Sequence, residues 1–284
     1  MKDKITLMDG AAGTMLWQKA EAHGWKKDPV WVYNIEHPEI VSELAVEYAD
    51  AGSQIVQSNT FGANRPAVSR SSSYSVAEIV SSGVRIAKNA VAGRDIRVAL
   101  SVGPLSALME PYGDMTEEET AEIYREICDA GMKEGADLIL FETFMDINML
   151  SAAAGVAKEY GVPVFCSMTF ERRGKTMMGH SVEDMIEALE PLGVDAVGMN
   201  CSLGPDLALP VIREFAEKTS LPLLFKPNAG KPILAADGTA LAQYSASVFA
   251  DDVVPALDVV DYVGACCGSD PGYIRELAAR LNSF

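Results

Sequence analysis

Short apolar, β-branched runs ending in turn residues recur along the chain, and each predicts a buried strand. Eight stand out. They are "KITLMDG" near 4–10, "SQIVQSN" near 53–59, "IRVALSVG" near 96–103, "ADLILFE" near 136–142, "VPVFCSM" near 162–168, "DAVGMN" near 195–200, "LPLLFKP" near 221–227 and "DYVGA" near 261–265. Most of the stretches between them switch to a helical period. "TEEETAEIYREICDAGMKEG" opens on Thr116 as an N-cap, carries acids in its first turn and ends at glycine. "SVEDMIEALEPLG" repeats this design, with Ser181 and Asp184 at capping-box spacing. "GPDLALPVIREFAEKTS" is amphipathic, with a proline that kinks or starts its helix, and "SRSSSYSVAE" at 69–78 reads as a loop leading into a helix.

This β-α alternation, repeated about eight times, predicts a parallel sheet with helices outside. Eight units in 284 residues fit a closed (β/α)8 TIM barrel, one α/β domain over 1–284. A doubly wound open sheet is the competing fold. It would usually bring fewer strands and a glycine-rich phosphate loop, and neither G-x-G-x-x-G nor a Walker A pattern is present.

Composition narrows the function. With 23 basic against 40 acidic residues, the net charge is −17. The chain lacks the basic footprint that nucleic acid or an anionic membrane requires, although it permits a basic partner protein. No run reaches the roughly 18 apolar residues of a membrane span, and "MKDKITLMDG" holds no secretory stretch. The expected compartment is the cytoplasm. Five cysteines rule out a complete intramolecular disulfide framework, and clustered cysteines in a reducing compartment point to metal or catalysis.

In a barrel of this kind, chemistry collects where strands end. Those positions hold Asp9 and Gly10; Asn59, Thr60, Phe61 and Asn64; Glu142 and Thr143; Asn200 and Cys201; and Cys266 and Cys267. The adjacent pair cannot easily bridge itself, because neighbouring Cα atoms sit about 3.8 Å apart and disulfides want about 4.4–6.8 Å. With Cys201 as a third partner, the thiolates make a soft, tetrahedral set that suits zinc and leaves one position open. Cys267 joins Cys266 only if the strand has ended, which "GSDPG" supports. The same trio is equally read as three small buried hydrophobes, as Cys128 and Cys166 are in their helix and strand. Asp9 and Glu142 have a plainer reading as helix caps or lysine partners. Asn59, Thr60, Phe61 and Asn64 are offered to a pocket, though asparagine there is as often a turn former. His180 reads as a loop residue or a donor-side contact. Met177 and Met178 read as part of an adaptable docking surface.

"LMDGAAGTML", "QSNTFGAN", "LFETF", "GMNCSLGP" and "VGACCGSDP" together resemble the homocysteine S-methyltransferase family, above all the homocysteine-binding module of cobalamin-dependent methionine synthases. The likeness spans nearly the whole chain, with the motifs in the family's order. It implies a zinc-containing barrel in which Cys201, Cys266 and Cys267 hold Zn2+. Asp9 and Glu142 would hold the amino group of homocysteine, backbone near Gly10 and Ala265 its carboxylate, and Asn200 would flank the substrate. It also implies methylation of the zinc-activated thiolate to give methionine. Ala12, Ala265, Ser269 and Asp270 depart from the family's usual residues, which leaves selenohomocysteine or another thiol as alternatives. The chain has no Asp-x-His-x-x-Gly cobalamin signature and no betaine-type extension. The expected donor is a methyl-corrinoid or folate protein, or a small sulfonium or ammonium compound. A second class is non-catalytic: a zinc- and thiol-binding subunit of a multi-component methyltransferase.

Overall fold

The computed structural model describes residues 5–230, 233–234, 240–241 and 244–283. The expected domain ends and Lys4, at the head of the first predicted strand, lie outside the described residues. Among the described residues ten strands form: β1 (Thr6–Leu7), β2 (Ile55–Gln57), β3 (Arg97–Val102), β4 (Leu138–Phe144), β5 (Val164–Met168), β6 (Ala196–Asn200), β7 (Leu223–Lys226), the hairpin β8 (Ile233–Leu234) with β9 (Ala240–Leu241), and β10 (Tyr262–Val263). Eight of them make one parallel sheet in the order β1-β10-β7-β6-β5-β4-β3-β2. The cylinder closes between its ends through a parallel Met8–Ile55 bridge and the Gln54 N–H donating to the Leu7 carbonyl at 2.7 Å. The result is a single-domain (β/α)8 barrel.

All eight predicted barrel strands are present. The first and last are shorter than the apolar runs suggest. After Val263 the ladder thins to single bonds, Gly264 N–H to the Phe225 carbonyl at 3.0 Å and Ala265 N–H to the Asp9 carbonyl at 3.1 Å. The segment "SRSSSYSVAE" is not one loop. Ser69–Ser71 close the helix Arg65–Ser71, and Ser75 caps the next, Val76–Ala90. Pro205 starts the helix Pro205–Lys218, which runs on through Pro210.

Strand periodicity explains the interior. Residues i and i+2 face the same way. Ile55, Ala99, Leu140, Phe165, Ala196 and Leu224 fill the barrel's lower layer, closed by Met8 and by Tyr262, whose ring lies 4.4 Å from that of Phe165. Two residues further along, the layer turns polar: Gln57, Ser101, Glu142, Ser167 and Lys226, with Asn200 four residues beyond Ala196. A register shift between Phe141 and Phe144 in the β4–β5 pairing falls on Glu142 and Thr143, and such irregularities re-aim side chains.

The helices follow their caps. Thr116 Oγ1 accepts from the Glu119 N–H at 3.2 Å, and the Glu119 carboxylate accepts from the Thr116 N–H at 3.0 Å. Thr116→Ala is expected to cost about 1 kcal/mol, which lowers the Tm by roughly 2–4 °C in a chain of this size. A thermal melt followed by circular dichroism reads this directly. Among the described residues, no helix is long and apolar enough to cross a membrane.

Candidate metal centre

At the C-terminal mouth, Cys201, Cys266 and Cys267 present three Sγ atoms that all lie within 4.8 Å of one another. Cys201 and Cys267 approach to 3.5 Å. Asn200 ends β6 pointing inward. Cys201 and Ser202 then adopt positive φ of 62° and 59°, which swings the next side chain back toward the mouth. The turn is pinned by the Cys201 N–H donating to the Lys226 carbonyl at 3.0 Å. On the other side β10 has already ended, so strand alternation no longer separates Cys266 from Cys267. Their turn is held by the Cys266 N–H to the Pro227 carbonyl at 2.9 Å and by Gly268 at φ 84°.

The donor set fits zinc. A tetrahedral site with Zn–S bonds of about 2.3 Å has sulfur–sulfur edges of about 3.8 Å, inside the observed spread. The trio is also less buried than core cysteine: Cys128 and Cys166 are fully buried, whereas Cys267 is exposed and the other two are intermediate. Crowding against one another and burial push the thiol pKa values up. At Cys201 the contact from Cys266 lowers the pKa, but contact with Cys267 and burial outweigh it and set it at about 11. At Cys267 the Cys201 contact lowers it, while the Cys266 contact and charge raise it to about 12. Cys266 is pushed up by its contact with Cys201 and by burial. Among the described residues, no other group of three such ligands converges.

Asn200 ties this centre to the barrel. Its Oδ1 accepts from the Thr143 N–H at 2.8 Å and the Ser167 hydroxyl at 2.6 Å, and its Nδ2 donates to Thr143 Oγ1 at 2.8 Å and to Cys266 Sγ at 3.7 Å. Groups that orient a ligand typically carry 10–100-fold in metal affinity. Asn200→Ala is therefore expected to weaken zinc binding by about 10–100-fold, read by competition with a chromophoric chelator, with the thermal transition of the fold retained.

Beside the thiols opens a cavity of about 500 Å³, walled by Trp17, Trp31 and Phe61 and floored by Glu142 and Lys226. Gly10, Ala265, Asn59 and Phe61 line it. Thr60 and Asn64 do not, and this corrects the expectation that they face a pocket. The Thr60 hydroxyl donates to the Ser101 carbonyl at 2.7 Å, and Asn64 caps the helix Arg65–Ser71 by accepting from the Ala67 N–H at 3.1 Å. Asn59 faces the cavity, but its amide is committed to the Val30 carbonyl and Asn34 Oδ1. A side chain at Gly10 would meet Ser269 Oγ at 2.6 Å, so the backbone there stays bare. Asp270 is occupied as a cap, accepting from the Gly272 N–H at 2.6 Å, so the extra acid is turned to the helix. His180 lies beside Asp146, 4.0 Å away and outside the cavity lining. Met177 is 76% exposed on its loop.

Beneath the cavity runs a buried polar relay. Asp9 Oδ1 pairs with Lys226 Nζ at 3.0 Å, and Asp9 Oδ2 accepts from the Gln57 N–H at 2.6 Å. Lys226 also donates to Gln57 Oε1, and Gln57 Nε2 donates to Glu142 Oε1. Ser101 donates to the same Glu142 oxygen at 2.5 Å. Burial raises the Glu142 pKa against the pull of Lys226. Lys226 loses to desolvation but gains more from Asp9 and Glu142, so its pKa is raised. Inspection of strand ends on five strands overlooks Lys226, Gln57 and Ser101. The signal for Lys226 was a lone lysine closing the apolar run "LPLLFKP".

Three thiols converging over an acid-bearing cavity at the mouth of a (β/α)8 barrel make a group that could hold a metal ion by sulfur. The chain belongs to the homocysteine S-methyltransferase family, whose sequence profile matches residues 6–281. It is 30% identical to the methionine synthase of Mycobacterium tuberculosis (strain ATCC 25618 / H37Rv) over an alignment covering 99% of this chain and 25% of that protein. For the Mycobacterium leprae (strain TN) methionine synthase the figures are 30%, 99% and 24%. The chain thus spans about a quarter of the length of these relatives. The metallated form of the homocysteine methyltransferase MmuM from Escherichia coli superposes with a TM-score of 0.79 at 23% identity, covering 98% of this chain and 97% of that one. Its oxidized form gives 0.79 at 24% identity over the same shares. These likenesses speak for the fold.

Proposed function

We propose that this chain is a zinc-dependent thiol S-methyltransferase that methylates homocysteine to methionine in the cytoplasm. The methyl group would come from a separate methyl-corrinoid protein or from a small molecule. The observation that carries the reading is the convergence of Cys201, Cys266 and Cys267 at the edge of a cavity that also exposes Glu142.

Zinc held by the three cysteines would supply Lewis acidity and one open position, drawing the proton from a thiol whose ordinary pKa is about 8.5. The chain's residues do the rest. Cys267 is the exposed member of the thiol cluster, so the cluster is accessible from outside on that side. Glu142 Oε2 has no partner among the described residues and is free to take an ammonium group. Gly10 and Ala265 line the same cavity; the backbone N–H of Gly10 suits a carboxylate, while that of Ala265 is given to the Asp9 carbonyl. Trp17, Trp31 and Phe61 give the cavity an apolar wall for the methylene stem.

A second reading, a zinc- and thiol-binding subunit of a larger methyltransferase, is favoured by one fact: the relatives named methionine synthase are about four times longer than this chain's match to them. The test is methionine formation by the purified zinc-loaded chain from homocysteine, with S-methylmethionine and with a methylated corrinoid protein as donors. Turnover with a donor supports the enzyme. Zinc and homocysteine binding without turnover on any donor would favour the subunit.

A further inference from the structure

We propose that this chain pairs with a second copy of itself through three consecutive loops at the barrel mouth, the two copies related by a two-fold axis. The pairing goes beyond the reaction and does not depend on it.

Among the described residues, seven large apolar side chains are exposed. Four of them stand on these loops: Leu108 and Tyr112 after β3, Met145 after β4 and Met177 after β5. Exposed apolar side chains gathered in one patch mark a contact site. The three loops adjoin. The Leu105 N–H reaches Met149 Sδ at 3.3 Å, in the helix Ile147–Ala157 that follows β4, and the Thr176 hydroxyl donates to the Met145 carbonyl at 2.9 Å.

Charge divides the patch. From Val98 to Tyr124 the chain carries six acids and no lysine or arginine. Glu119 caps its own helix. Glu110, Asp114, Glu117, Glu118 and Glu122 are exposed and have no ion pair among the described residues. Between Leu108, Tyr112 and Met115 on the loop and Glu122 and Ile123 on the helix Glu117–Lys133 lies a groove of about 600 Å³. The loop after β5 is the opposite in sign. Arg172, Arg173 and Lys175 are exposed and have no ion pair among the described residues, and Met177 stands beside them. The one acid of that loop, Glu171, is turned toward Ser202, 3.4 Å away. Cations on the neighbouring helices are already matched: Arg125 pairs with Glu159, Lys158 with Asp195 and Lys218 with Glu183.

An acidic groove with an apolar floor fits a basic segment with an apolar anchor, and the loop from Arg172 to Met177 is such a segment. Within one chain the β4 loop separates the two. A two-fold axis through the β4 loop carries each basic loop onto the other copy's groove, so both contacts form at once and Met145 meets its own counterpart. An interface of this kind closes at two copies. It also spares the thiols. In the sheet order β4 stands four strands from β10 in either direction, so the turn holding Cys266 and Cys267 lies across the mouth from the contact. The charge of −17 on each copy opposes association, and the local contacts have to outweigh it.

The test is sedimentation velocity on the full chain over a dilution series. Wild type is expected to pass from monomer to dimer as concentration rises. Arg172→Glu with Arg173→Glu turns the basic loop acidic and should weaken the dimer by about tenfold or more, the weight of a close charge pair across an interface. Asp114→Lys, Glu117→Lys, Glu118→Lys and Glu122→Lys together turn the groove basic and should weaken it by about as much. This second variant moves the net charge from −17 to −9, because each of four reversals adds two positive charges, so bulk repulsion alone predicts tighter association instead. Mixing the two variants, one of them dye-labelled, should restore a one-to-one dimer, since each loop then faces its opposite again. Thermal melts of both variants establish that they are folded. A wild type that stays monomeric throughout overturns the proposal, as do variants that dimerise like wild type or a mixture of folded variants that stays monomeric. Growth beyond two copies would overturn the two-fold arrangement.

Discussion

Replacing Cys267 by alanine is expected to take bound zinc from one ion per chain to essentially none after dialysis, and methyl transfer with it. Two protein thiolates would remain, and catalytic zinc takes three protein ligands. Loss of a mere orienting group costs about 10–100-fold in affinity, so loss of a ligand should cost well over 100-fold. The raised thiol pKa values add a second signature. Cys201 at about 11 and Cys267 at about 12 are protonated at neutral pH without a cation, so each must release its proton when the metal binds. Loading wild type should liberate about three protons per ion, and affinity should climb as pH rises. Elemental analysis, thiol titration and pH-stat loading read all of this. One zinc per chain retained in Cys267→Ala would show that the ion sits elsewhere and would reduce the cysteine trio to packing.

Lys226→Met is expected to be the most destabilising change in the pocket. Lys226 is 1% exposed and Asp9 4%. Methionine keeps most of the stem's volume, so the loss is electrostatic. A buried carboxylate stripped of its partner typically costs about 3–5 kcal/mol, which corresponds to a fall of roughly 10 °C in Tm at this chain length. Asp9→Asn combined with Lys226→Met removes the stranded charge and should recover most of that loss, because neutral replacements of a buried pair are often tolerated. Differential scanning calorimetry of wild type, both single variants and the double variant closes the cycle. A single variant melting within about 1 °C of wild type would mean the pair is solvated.

The barrel and its thiols were legible for one reason: both depend on strand ends, and strand ends are local. Apolar runs marked the strands, and the residues just beyond them marked the mouth, so Cys201 met Cys266 and Cys267 without any knowledge of distances. The relay of Asp9, Lys226, Gln57 and Glu142 was not legible in this way. It joins β1, β2, β4 and β7 across the barrel's interior, and no sequence spacing records which polar side chain pairs with which. Thr60 and Asn64 misled for the opposite reason. Their residue types suit a pocket, but local backbone groups had already claimed them. The turn that delivers Cys201 was equally hidden, because nothing in "MNCSLG" announces two consecutive non-glycine residues at positive φ.

The closure of the cylinder carries a consequence of its own. Where β1 meets β2, the backbone ladder amounts to the Met8–Ile55 bridge and the bond from Gln54 to Leu7, and the Asp9 carboxylate then continues the join by accepting from the Gln57 N–H. The seam is stitched in its last step by a side chain paired with Lys226, which lines the cavity. Breathing of the barrel at this seam and occupancy of the cavity thus draw on the same few atoms. A ligand that engages Glu142 or Lys226 tightens, through Gln57, the stitch between first and second strands, so proton exchange of the Gln57 amide with water should slow as the cavity fills.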